Sequence, residues 1–226
     1  MPKFLIVAAT KHEVEPILTR HDIVITEAEG LYKSKLPGID LSVLITGVGM
    51  VNTAFIMGKY SHEKFDYLIN IGICGAIDRA LKIGEVVNVN CDTLSEMGAE
   101  NDNEFIKYND LKLGGINFYN NKFEANYLPF DTLKKVSGIT VNTVHGNEAS
   151  IQKIISLFNP DVESMEGAAF FRACNGATAE YCQLRAISNY VEKRDKSKWE
   201  IALAIKNVNE FVIKLMEDLN NKQQFI

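Results

Sequence analysis

Four short apolar runs recur along the chain, and each gives way to glycine, asparagine or a helical pattern: KFLIVAA (3–9), LSVLITGVG (41–49), FDYLINIGICGAI (65–77) and EYCQLRAISNY (180–190). Runs of this length with little alternation read as strands covered on both faces, the second ending in a glycine turn and the third running into a glycine-rich turn at 72–75. Helical spacing follows them. Val14, Ile17 and Leu18 come after the first run and MVNTAFIMGKY (50–60) after the second. Ile201, Ala204, Ile205, Val208, Val212, Leu215, Met216 and Leu219 give a terminal amphipathic helix. KIGEVVNVN (82–90) and SGITVNTV (137–144) add strands, residues 149–158 add a helix, and residues 23–36, with Gly30, suggest a hairpin. In VESMEGAAFFRAC (162–174) the pattern from Met165 onward predicts a helix packed in the interior. Strands alternating with helices predict an α/β fold of three layers. Its central sheet is mixed but largely parallel and flanked by helices, in a single domain over residues 1–226.

The stretch 97–126 is different: polar, rich in Asn, with Gly114 and Gly115 in its middle. It reads as a long excursion from the core. A functional loop and a plain surface insertion fit it equally.

Charge and cysteine usage narrow the class. A net charge of −5 is a poor match for a phosphate backbone, so no nucleic-acid partner is expected. MPKFLIVAATKHEVEP lacks the length and cleavage pattern of a signal peptide, and no run approaches a membrane span. A cytoplasmic protein with no membrane partner is expected. Cys74, Cys91, Cys174 and Cys182 show no CxxC spacing, so reduced, mostly buried thiols are expected. His12, His21, His62 and His145 are scattered, and no metal site is expected. TGVGMVN places Asn52 where a dinucleotide fingerprint needs its third glycine, and no phosphate-binding GxxxxGK[ST] occurs, so no nucleotide cofactor is expected.

Ligands of open α/β sheets bind beyond the carboxyl ends of strands. The positions to watch are therefore Glu13, Gly47–Gly49, Gly72–Gly75, Met165–Glu166 and Asn189. Glu13 and Glu15 open a helix, where the macrodipole alone favours carboxylates. Glu166 lies between Met165 and a run of small and aromatic residues. A carboxylate there is costly without a partner, which suggests that it faces a cavity. Glu163, nearer the start of the segment, is expected to be solvated. Arg185, in an apolar strand, requires a buried anion or carbonyls. Asn189 closes its strand either as a turn former or as a donor and acceptor for a ligand.

Taken in order, IVAATKHEVEPI, ITGVGMVNTA, LINIGICGAIDRALKIGEVV, VESMEGAAFF and LRAISNYVEKR resemble the nucleosidase branch of the purine nucleoside phosphorylase superfamily across nearly the whole chain. VESMEGAA together with RAISNYVE looks most like the futalosine hydrolases of menaquinone biosynthesis. The resemblance implies hydrolysis of an N-glycosidic bond, with hypoxanthine released from futalosine. Glu13 matches the glutamate that activates water. Met165 and Glu166 match the pair that binds ribose. Gly75 matches a backbone position beside the base, and Asn189 the position that engages the purine's imidazole-ring edge. The partners implied are a purine nucleoside, water and a second copy of the chain, with a dimer favoured. Two departures stand out. Adenosine-type nucleosidases carry aspartate where this chain has Asn189, and a small hydroxyl residue where it has Ile73. TVHGNEAS aligns loosely, and no base contact is assigned to it.

The chemistry implied is consistent with these residues. Breaking the bond builds oxocarbenium-like charge on the ribose, as in glycoside hydrolysis. An anionic Glu166 would favour that charge, and Glu13 would deprotonate water. A carboxamide at Asn189 suits a 6-oxopurine better than adenine. A carboxylate after the first strand, where a phosphorylase commonly has arginine, suits water better than phosphate. Two alternatives remain: a methylthioadenosine/S-adenosylhomocysteine nucleosidase, and a non-catalytic nucleoside-binding protein on the same scaffold.

Overall fold

The structure, a computed structural model, describes residues 1–20, 23–25, 30–34, 40–113, 115, 118–123 and 128–222. In chain order its elements are β1 (Lys3–Ala8), α1 (Lys11–Arg20), β2 (Ile23–Ile25), β3 (Leu31–Ser34), β4 (Asp40–Ile45), α2 (Met50–Lys59), β5 (Tyr67–Ala76), β6 (Val86–Leu94), β7 (Gly98–Asn101), β8 (Glu104–Lys107), β9 (Phe118–Asn120), α3 (Leu128–Asp131), β10 (Lys134–Thr140), α4 (Glu148–Phe158), β11 (Val162–Ser164), α5 (Gly167–Cys174), β12 (Glu180–Tyr190) and α6 (Ile201–Lys222).

The main sheet runs β11-β10-β6-β12-β5-β1-β4-β3-β2, with β9 beside β6. Its middle is parallel: β4, β1, β5 and β12 all run the same way. Antiparallel pairs are β12 with β6 beside that middle, β6 with β9, β3 with β4, and the expected hairpin of β2 and β3. β11 also pairs antiparallel with β5. That pairing bends one end of the sheet into a closed ring of β5, β12, β6, β10 and β11, while β1, β4, β3 and β2 extend from it as an open wing.

β1 shows why its run is apolar at every position. Phe4, Ile6 and Ala8 pack with Val14 and Ile17 of α1 and with Val208, Val212 and Leu215 of α6. Leu5 and Val7 point the other way, into a cluster with Met57 of α2 and with Ala168, Phe170 and Phe171 of α5. A period of two delivers side chains to both layers. Burying each of Val208, Val212 and Leu215 completely contributes roughly 1.5–3 kcal/mol, which is what fastens α6 across β5 and β12.

The ring encloses polar groups. Asp92 on β6 accepts from Thr140 Oγ1 at 2.9 Å and from Gln183 Nε2 at 3.1 Å. Burial pushes its carboxyl up to about 6, against these hydrogen bonds and the charge of Arg185. Thr140 Oγ1 in turn accepts from the backbone N–H of Ala168 at 2.7 Å, which ties the first turn of α5 to the ring.

Four expectations change. The glycines 72–75 form no turn: β5 runs through them to Ala76, paired on both sides. The stretch 97–126 is not a bare loop, since it folds as the hairpin of β7 and β8 and returns β9 to the main sheet; residues 114, 116–117 and 124–126 lie outside the described residues. The strand expected over 137–144 spans Lys134–Thr140, which frees Val144 for a loop. The helix expected from Met165 starts at Gly167, so Met165 and Glu166 sit at a joint between β11 and α5. Cys74, Cys174 and Cys182 are buried, Cys91 is half-buried, and all four are free thiols. Among the described residues, no helix is long and apolar enough to cross a membrane.

Candidate active site

The ends of β1, β5, β11 and β12 meet around a cavity of about 370 Å3. Glu13, Gly75, Met165, Glu166 and Asn189, all expected from the sequence to form a site, line this one space.

Glu13 is placed by local chemistry. Thr10-Lys11-His12-Glu13 is a capping box at the start of α1. Glu13 Oε2 accepts from the Thr10 backbone N–H at 2.9 Å and from Thr10 Oγ1 at 3.0 Å. In return, the Glu13 N–H faces Thr10 Oγ1 at 3.4 Å. The other oxygen, Oε1, lies over Gly72 of β5. Burial raises the carboxyl above its usual range, Arg185 opposes that shift, the nearby charge of Glu166 adds to it, and the Thr10 hydrogen bonds oppose it. The capping box thus uses Oε2 and leaves Oε1 outside it.

Arg185, 1% exposed, is the buried cation of this region. Its direct partners are carbonyls: Asn70 Oδ1 at 2.6 Å and Leu184 O at 3.5 Å. Its Nε has no partner among the described residues. Arg185 acts on Glu13 and Asp92 through space.

Glu166, 9% exposed, occupies the N-cap position of α5, with φ −128° and ψ −28°. Its Oε1 accepts from the Gly49 N–H at 2.9 Å. Gly49 itself begins α2 with φ +95°, a backbone state that favours glycine. The turn TGVGMVN thus presents an amide donor to a carboxylate of the cavity wall.

Across the cavity floor, three strands bring three residues into one row. Gly75 on β5 is in register with Asn189 on β12 and with Glu163 on β11. The β12 ladder skips Ser188 just before Asn189, a bulge that re-aims the following side chain. Asn189 Oδ1 accepts from Ser188 Oγ at 2.8 Å, and its Nδ2 donates to Tyr190 O at 2.9 Å. A side chain at Gly75 would meet Val191 Cγ2 at 2.8 Å and Asn189 Nδ2 at 3.4 Å, so bare backbone faces the cavity there.

Sequence reasoning missed Glu163 and His145. Glu163 was expected to be solvated, yet it is 4% exposed. Its Oε1 accepts from the His145 N–H at 2.9 Å and its Oε2 pairs with His145 Nδ1. The hydrogen bond to Glu163 raises the pKa of His145, burial opposes it, and the charges of Glu163 and Glu96 add to it. A strand of three residues is too short to carry a period, so no local signal marks Glu163 as internal. Arg194 is a third omission. It lines the cavity with its guanidinium 4.8 Å from the Trp199 ring centre. Cys74 also lines the wall, but burial pushes its thiol up to about 12, which makes it inert. Among the described residues, no group of three or more His, Cys, Asp or Glu side chains is placed to hold a metal.

A partly closed mixed sheet between helices, with a cavity walled by carboxylates and bare backbone at its strand ends, has the architecture of a nucleoside phosphorylase-like α/β protein. Residues 3–107 match the family described as the Phosphorylase superfamily. Futalosine hydrolase of Thermus thermophilus is 26% identical over 195 residues, covering 81% of this chain and 84% of that protein. The 5'-methylthioadenosine/S-adenosylhomocysteine nucleosidase of Colwellia psychrerythraea is 24% identical over 223 residues, covering 84% of each. The native structure of futalosine hydrolase of Helicobacter pylori superposes with a TM-score of 0.82 at 16% identity, over 96% of this chain and 97% of that one. Over residues 3–107 the chain is similar to the phosphorylase superfamily, and its fold is that of this solved hydrolase structure.

Proposed function

We propose that this cavity hydrolyses the N-glycosidic bond of futalosine, releasing hypoxanthine and dehypoxanthine futalosine. One observation carries the reading: Glu13 and Glu166 line the same small cavity, close enough for the charge of one to raise the pKa of the other. Glu13, its Oε2 fixed by Thr10, takes a proton from water, a contribution of about 10²–10⁴ in rate. Glu166 binds the ribose hydroxyls, with Met165 beside the sugar, and its charge favours the cationic transition state. Gly75 and Asn189 receive the base. The cavity's size suits a nucleoside, and its apolar wall of Val48, Ile73 and Val191 excludes bulk water. A carboxylate at the point of attack repels phosphate, which supports hydrolysis over phosphorolysis.

The base follows from Asn189. A carboxamide offers a donor and an acceptor together, which suits a 6-oxopurine and its neighbouring ring nitrogen. Futalosine hydrolase is the name of the Thermus thermophilus relative. A second reading, methylthioadenosine/S-adenosylhomocysteine hydrolysis, draws support from the Colwellia psychrerythraea relative of that name. The deciding experiment incubates the purified protein with futalosine, methylthioadenosine and S-adenosylhomocysteine and identifies each released base by chromatography. Hypoxanthine from futalosine is expected; adenine release alone overturns the choice of substrate. A protein that binds these nucleosides and releases no base is a binding module.

A further inference from the structure

We infer that His145, held by Glu163, is the acid that protonates the purine as it leaves. This rests on the proposed nucleosidase reading and adds a residue to it.

The reasoning starts from what Asn189 cannot do. A carboxamide aligns a purine by hydrogen bonds, one Nδ2 hydrogen going to Tyr190 O and the other left for the base, but its N–H is no proton source at neutral pH. The bond to the base breaks heterolytically, and a titratable donor near the base lets it leave neutral. The cavity wall offers few. Glu13 and Glu166 must be anionic for their own tasks. His12 lies exposed on α1 with Nδ1 3.7 Å from Glu15. Glu192 is paired with Arg79 at 2.9 Å and Lys198 at 3.6 Å. His145 remains.

Its placement fits. The row of Glu163, Gly75 and Asn189 runs across three adjacent strands, and His145 is bonded to the Glu163 end of that row. The loop carrying it is fastened on both sides. Glu96 accepts from the Asn142 N–H at 3.0 Å and from Asn142 Nδ2 at 2.6 Å, and the Asn147 side chain caps α4. Nδ1 is committed to Glu163, and Nε2 has no partner among the described residues while the ring lines the cavity. The charged groups around it are Glu163 and Glu96, which favour the imidazolium, and Glu192 and Arg194, whose backbones pass 3.8–3.9 Å from where a side chain at Gly146 would begin.

The step balances. The C1'–N9 bond breaks and its electron pair goes to the purine. Nε2 of the imidazolium gives its proton to N7, so the base departs neutral. The water oxygen bonds to C1' and its proton passes to Glu13. Exchange with solvent then returns a proton to His145 and removes one from Glu13. Glu163 is a positioning residue that fixes the ring and keeps it charged, as carboxylates do for catalytic imidazoles.

The test compares leaving groups. Futalosine needs its base protonated; p-nitrophenyl β-riboside, whose phenolate leaves unaided, does not. His145→Gln is expected to lower kcat/KM for futalosine by about 10²–10⁴, to lower it at least tenfold less for the p-nitrophenyl riboside, and to erase the alkaline limb of the futalosine profile. Glu163→Gln should move that limb to lower pH. Equal losses on both substrates, or an alkaline limb that survives in His145→Gln, overturn the assignment. Should the native protein release adenine from methylthioadenosine instead, the same ratio is read on that nucleoside, so the choice of substrate fails separately from the role of His145. If no purine nucleoside is cleaved, both readings fall.

Discussion

Glu13 Oε1 occupies the space that a side chain at Gly72 would need. A methyl group there would lie 2.7 Å from that oxygen and 3.2 Å from Arg185 Nη1. The glycine of β5 is therefore a clearance for the carboxylate on α1. Gly72→Ala is expected to push Glu13 off its position and to cost about 1–3 kcal/mol of stability through overpacking. Turnover of the nucleoside should fall at least tenfold with KM changed only a few-fold, as steady-state kinetics would show. Unchanged kcat would mean that Glu13 does not act from this place.

Burial sets the pH at which Glu13 works. Its carboxyl is raised above the usual range, and a general base must be ionised, so activity should fade on acidification at a higher pH than for an ordinary glutamate. Thr10→Val removes a hydroxyl that favours the carboxylate form and caps α1. The acid limb of the kcat/KM profile should then move to still higher pH, and the lost cap should cost about 1 kcal/mol. A limb that stays in place would separate Thr10 from the chemistry.

Asn189 is tested by its acid counterpart. Asn189→Asp exchanges a fixed donor for a carboxyl group, and Ser188 Oγ still donates to the retained oxygen. The ratio of 6-oxopurine to 6-aminopurine turnover should drop, by about tenfold for each 1.4 kcal/mol of lost discrimination. An unchanged ratio in paired assays would assign base choice to other residues.

Asp92 predicts a stability profile. Its folded value of about 6 lies above the reference 3.8, because burial disfavours the charged form. The folded state therefore holds a proton that the unfolded chain releases. The resulting stabilisation is complete below the reference value and is lost as pH rises through about 6. Asp92→Asn should abolish this slope, of order 3 kcal/mol for a two-unit shift. The new amide could still accept from Thr140 and could donate to Gln183 Oε1, which has no partner among the described residues. Urea denaturation of both proteins across this pH range would show the difference, and parallel curves would refute it.

The sheet's middle was legible because parallel strands buried on both faces read as near-continuous apolar runs. FLIVAA does so in full, YLINI and QLRAIS do so around the buried polar residues Asn70, Gln183, Arg185 and Ser188, and β12 spans Glu180–Tyr190 as expected. That Glu13, Gly75, Met165, Glu166 and Asn189 would line one cavity was legible because ligands of such sheets sit past strand ends. What stayed hidden was decided by distant pairing. Glu163 is internal because β11 folds back onto β5, a contact between segments nearly ninety residues apart that no local pattern announces. The glycines of β5 read as a turn because their true reason lies on other elements: Glu13 and Arg185 crowd Gly72, and Val191 and Asn189 crowd Gly75. The hairpin of β7 and β8 was obscured by its polar composition, since neither strand buries a face in the core.

The ring of strands closes where β11 meets β5, through the ladder pairs Val162 with Ala76 and Glu163 with Gly75 and through the Ile77 and Asp78 N–H groups, which donate to Asp161 O. Its shortest ladder thus runs through the floor on which the base would rest. A purine bridging Asn189 and His145 would rivet that seam from within, and its departure would release it. The closure of the ring and the hold on the base would then draw on one shared row of residues.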